Sequence, residues 1–85
     1  MSDHAEIISV LIDYIRNETG FEGPLTADDD LLTAGVLDSF NIVSLALFAQ
    51  ERFEVELDGE DMVRDNLARL SSLAALIAQR RAQQA

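Results

Sequence analysis

Apolar residues recur at spacings of three and four in three separate stretches of this chain, and that spacing fixes its secondary structure. Ile7, Ile8, Leu11, Ile12 and Ile15 form the first set. Ile42, Leu45, Ala46, Ala49 and Phe53 form the second, and Leu73, Ala74, Leu76 and Ile77 the third. Residues so spaced share one face of a helix, which must be buried against another element. The β-branched isoleucines lose rotamer freedom in a helix, but the spacing outweighs that cost. Helices are therefore expected over Asp3–Asn17, over Ser39–Arg52, and from a Ser71 or Ser72 cap toward the C-terminus. Ser2 or Asp3 is a suitable cap for the first, and Thr19-Gly20 a suitable end. Glu54-Val55-Glu56-Leu57 alternates, but four residues with no pairing partner make an extended connector with Val55 and Leu57 inward. Asp58-Gly59-Glu60-Asp61 reads as the cap and first turn of a short helix carrying Met62 and Val63.

Eighty-five residues make one domain, 1–85, with one small core. No cysteine and no His/Cys cluster is present to staple it, so helix packing must supply the stability. Sixteen acidic residues against six arginines and no lysine give a net charge of −10. Such a chain repels nucleic acid and anionic membranes and attracts basic surfaces. No apolar run reaches the ~18 residues of a membrane span. Met1-Ser2-Asp3-His4 lacks the basic start of a signal peptide, so a cytoplasmic protein is expected, with a monomer as the default unless an exposed Phe40, Val43 and Leu47 stripe supports weak self-association. His4 reads as a solvated residue. Asp28-Asp29-Asp30 lacks the alternation and terminal glutamate of a calcium loop, so it reads as an acidic turn or cap and no metal is expected.

Between the first two helices runs Phe21–Leu37, longer than the ~12–15 residues of most structureless loops and so either functional or a sign against the helix assignment. Leu25, Leu31, Leu32, Val36 and Leu37 are placed to anchor it. It leads into Gly35-Val36-Leu37-Asp38-Ser39-Phe40-Asn41-Ile42-Val43, where a glycine permits a turn and both Asp38 and Ser39 are residues that cap a first helical turn. The second helix carries a further apolar stripe, Phe40, Val43 and Leu47, beside Asn41 and Ser44. A small bundle needs only one apolar face per helix, so the stripe is either a wide core contact under the folded loop or a docking surface.

Asp-Ser followed by a large apolar residue, opening the second helix of a short acidic chain, resembles the acyl and peptidyl carrier proteins. The resemblance extends from Ile7 to about Ile77 through length, helix order and loop placement, with Leu31-Leu32 similar to the pair that pins the equivalent loop. It implies an all-α, acyl-carrier-like four-helix bundle of three longer helices and one short one. It further implies that Ser39 is the attachment site of 4′-phosphopantetheine, with Asp38 the acid that precedes it. A phosphopantetheinyl transferase, an acyl- or aminoacyl-loading ligase and downstream synthase or transferase enzymes would be the partners. They would dock on Phe40, Val43, Leu47 and Glu51, with Met62 on the short helix beside the arm. Fatty-acid synthase carriers have a second helix dense in acids, whereas here Asn41, Ser44 and Gln50 stand in those places and Arg52 reverses the sign. This favours a specialised carrier in polyketide, peptide or aminoacyl biosynthesis over one of primary fatty-acid synthesis.

Ser39 has no basis as a catalytic nucleophile: the sole histidine is His4, there is no lysine, and no Gly-x-Ser-x-Gly elbow surrounds it. An attachment serine is activated by another enzyme and needs no base of its own, and the free N–H groups of a helix start would favour the phosphodiester left behind. No other residue set reads as catalytic. The competing expectation is a small acidic helical adaptor in which Ser39 is an ordinary N-cap and the second helix binds a partner.

Overall fold

The computed structural model describes residues 3–59, 61 and 64–84. Helix α1 spans Asp3–Thr19, α2 Ser39–Phe53 and α4 Leu70–Gln84, with a four-residue helical turn, α3, at Arg64–Leu67. No strand occurs among the described residues; Val55–Leu57 is a connector without regular structure, while Glu54 is the C-cap of α2. No helix among them is long and apolar enough to cross a membrane. The fold is all-α, with the long loop between α1 and α2.

The helical spacings converge on one core. Ile7, Leu11 and Ile15 of α1 are fully buried, as are Leu45, Ala46 and Ala49 of α2 and Leu73, Ala74 and Ile77 of α4. Each large side chain so enclosed contributes about 1.5–3 kcal/mol of transfer free energy. Helix α1 packs most extensively against α4, and α2 leans on both. The alanines of α2 and α4 allow that close approach, while Val55 and Leu57 of the connector point inward to close the base of the core. The core contains no buried polar or charged side chain among the described residues.

Helix ends depart from the expected bounds for local reasons. Helix α1 continues to Thr19, whose hydroxyl donates back to the Ile15 carbonyl at 2.7 Å, and Gly20 then takes a left-handed φ of 71°. Asp3 lies within α1, and Ser2 falls outside the described residues. Helix α2 gains Phe53, and the chain leaves it through Glu54 in the left-handed region, with its N–H donating to the Gln50 carbonyl. The expected Ser71 or Ser72 cap of α4 is not formed. The helix starts at Leu70, and the Ser71 N–H donates at 2.8 Å to the Ala27 carbonyl of the long loop. The Asp61 N–H donates to the Asp58 carbonyl and Asp61 Oδ2 accepts from the Asp58 N–H, while Glu60 lies outside the described residues. The described helical turn of this region is α3, Arg64–Leu67. Met62 and Val63 lie outside the described residues.

The loop is anchored by its leucines. Leu31 and Leu37 are buried, and Leu25, Leu32 and Val36 are packed partly against the core. The Leu31 N–H donates to Ala68, and its carbonyl accepts from Val36 and Leu37, tying the loop to the α3–α4 junction. Asp30 caps the turn that follows, accepting from Leu32 and Thr33. At the other end Arg16 Nη1 donates to the carbonyls of Phe21 and Gly23. The loop is thus a fixed strap that delivers Asp38 and Ser39 to the start of α2.

Candidate functional site

Gly35 adopts a φ of 79°, a conformation that side-chain-bearing residues rarely take, and so reverses the strap into α2. Leu37 inserts into the core and leaves the next residues outside. Asp38 is extended (φ −118°, ψ −176°) and is the N-cap. Its Oδ1 accepts from the N–H groups of Phe40 at 2.9 Å and Asn41 at 2.7 Å, and its carbonyl accepts from Ile42.

Ser39 is therefore not the cap. It is the first helical residue, solvent-exposed, and its hydroxyl has no hydrogen-bond partner among the described residues. The same geometry corrects a second expectation. Two of the N–H groups that were to favour an anion at the helix start are already engaged by Asp38, whose carboxylate also offsets the positive end of the dipole.

The α2 faces separate cleanly. Ile42, Leu45, Ala46, Ala49 and Phe53 are buried, with Arg52 and Arg81 lying 5.3 and 5.8 Å over the Phe53 ring. Phe40, Val43 and Leu47 remain 79, 48 and 54% exposed, so the strap does not cover them and they are not a wide core contact. Phe40 adjoins Ser39 and begins the stripe, while Glu51 lies exposed at its far end. Met62 lies outside the described residues, so it is not placed relative to the stripe.

Beside this stripe is a groove of about 300 Å³ between α1 and α2, lined by Tyr14, Ser44, Leu47, Phe48 and Glu51. The Tyr14 and Phe48 rings stack at 4.1 Å between centroids and 15° between planes. Burial, then the charge and hydrogen-bond acceptance of Glu18, raises the Tyr14 hydroxyl above its ordinary pKa. Neither Tyr14 nor Phe48 stood out as a site residue in the sequence. The available signal was the spacing of Ser44, Phe48 and Glu51, at four and three residues along one helix face.

On α4, Arg80 Nη2 clasps both carboxylate oxygens of Asp61 at 2.7 and 2.6 Å, while Asn66 Nδ2 donates to the Asp61 carbonyl. The hydrogen bond from Arg80, then that from the Asp58 N–H, holds the Asp61 carboxyl below its ordinary pKa. No group of acidic, histidine or cysteine residues arranged to hold a metal occurs among the described residues. Comparison with protein-family models, with curated proteins and with solved structures found no match.

Proposed function

We propose that the chain is a carrier protein, a four-helix, acyl-carrier-like bundle bearing 4′-phosphopantetheine on Ser39. The observation that supports this best is the division of labour at the start of α2. Asp38 supplies the cap and leaves the Ser39 hydroxyl exposed and unpartnered, as a modification site for another enzyme requires. The adaptor reading gave that serine a capping role, which Asp38 fills instead.

The group fits the residues present, because Ser39 offers a free nucleophilic oxygen on an open surface with no side chain to displace. When bound, it supplies a thiol that holds an acyl or aminoacyl group as a thioester. The chain itself positions the attachment point and, by tethering, raises the effective concentration of cargo at each docked enzyme. It performs no catalysis of its own on this reading. A phosphopantetheinyl transferase, a loading ligase and downstream synthases or transferases would dock on Phe40, Val43 and Leu47, with Glu51 as the acid nearest the stripe. With so few acids there, apolar contact dominates docking and charge contributes less. Specialised polyketide, peptide or aminoacyl biosynthesis in the cytoplasm, by a monomeric carrier, suits this surface better than primary fatty-acid synthesis.

Intact mass before and after incubation with coenzyme A and a broad-specificity phosphopantetheinyl transferase tests the assignment. The wild-type chain should gain one phosphopantetheine and Ser39→Ala none. No gain in the wild type, under conditions that modify a control carrier, returns the chain to the adaptor reading.

A further inference from the structure

The groove between α1 and α2 shares Leu47 and Glu51 with the exposed stripe and adds an aromatic pair and a hydroxyl to them. It is lined by the stacked Tyr14–Phe48 pair and Leu47, and besides the Tyr14 hydroxyl, which is engaged with Glu18, its polar groups are the Ser44 hydroxyl and the Glu51 carboxylate. Neither polar group has a hydrogen-bond or ion-pair partner among the described residues. No arginine lines the groove, and the nearest one in sequence, Arg52, lies over Phe53 instead. Glu18 adds a second negative charge beside Tyr14. An apolar, aromatic floor beside the unpaired Glu51 carboxylate is complementary to an elongated apolar group that ends in a cation.

Position adds to the argument. Ser44 and Glu51 lie about 8 and 18 Å along the helix axis from Ser39, at a rise of about 1.5 Å per residue. A phosphopantetheine arm folded back along the helix brings its thioester to Ser44 and its acyl group toward Glu51, and both residues lie on the side of α2 that Phe40 begins. Resting on the carrier reading above, we infer that this groove holds the acyl group of an amino-acid-type cargo. The thioester carbonyl accepts from Ser44, the hydrocarbon lies on Leu47 and Phe48, and the protonated amine lies at Glu51. Simple alkyl cargo lacks the cation and leaves Glu51 unpaired. The groove is therefore a selectivity device on the carrier itself, keeping an amine-bearing cargo on the face that partners approach.

The test uses two cargoes of matched length, ω-aminopentanoyl and hexanoyl, joined to pantetheine through a stable amide and installed on the full chain from the coenzyme A analogues. Intact mass reports installation, and amide and side-chain NMR shifts report the groove. The inference expects shifts at Tyr14, Ser44 and Phe48 with the aminopentanoyl cargo that are absent with hexanoyl and are lost in Glu51→Gln. Installation followed by equal shifts for both cargoes, or by none at these residues, overturns the inference and leaves the carrier reading standing. Failure to install either cargo overturns both. Shifts that grow with protein concentration rather than with cargo assign the groove to a second copy of the chain and also overturn the inference.

Discussion

Asp38 and Ser39 are neighbours of similar capping ability, and the backbone separates their roles. The residue with extended φ and ψ can turn its side chain back onto the second and third N–H groups, and that residue is Asp38. Asp38→Ala is therefore expected to cost about 0.5–2 kcal/mol. Ser39→Ala, at an exposed first helical position, should stay within about 0.5 kcal/mol of wild type. Urea unfolding of both variants checks this, and the reverse ranking would place the cap on Ser39. Glu54 is the complementary case at the other end of α2. It is the one non-glycine residue at positive φ among those described, at 56°. Glu54→Gly should raise stability by about 0.5–1 kcal/mol, the left-handed penalty less the added freedom of the unfolded chain. A fall in the urea midpoint would show that the Glu54 side chain makes a contribution larger than its backbone strain.

Among the elements, the strap from Phe21 to Leu37 contributes most to placing the site. Without regular structure, it is fixed because Leu31 fills the core while its backbone bonds to Ala68, Val36 and Leu37. Leu31→Ala should cost about 2–5 kcal/mol, as for other fully buried leucines. It should also raise amide exchange across 31–37 more than in α1, because Leu31 is the residue that ties this segment both to the core and to Ala68. Uniform exchange changes would mean that the strap and the bundle open as one unit. The exposed stripe of α2 should behave oppositely. Phe40→Ser removes a ring that is 79% exposed, so its effect on urea stability should stay within about 0.5 kcal/mol, and a larger loss would place Phe40 in the core.

At the scale of the whole molecule, the Arg80–Asp61 clasp joins the segment after α2 to α4, nineteen residues apart in sequence. The carboxyl of Asp61 is held below its ordinary value, so its contribution to stability is present above the ordinary carboxylate pKa, near 3.9, and is lost as pH falls through the lower folded value. Wild type should exceed Asp61→Asn in stability at neutral pH, and the two melting curves should converge in acid. Curves that stay parallel down to the acid limit would rule out this linkage. The faces of α1, α2 and α4, the all-α class and the inward Val55 and Leu57 were legible in the sequence, because burial of an apolar stripe depends on periodicity that any folded arrangement must respect. The anchoring of the loop by leucines was legible for the same reason. Three things were decided only by tertiary structure: which of two adjacent caps is used, where α4 begins, and that Tyr14 meets Phe48 to floor a groove. Each depends on how a segment remote in sequence is brought alongside. Leu37 entering the core fixes the angle at which Asp38 meets α2, the Ala27 carbonyl takes the Ser71 N–H, and the packing of α1 on α2 sets the ring stack. Local patterns carry no record of such long-range contacts.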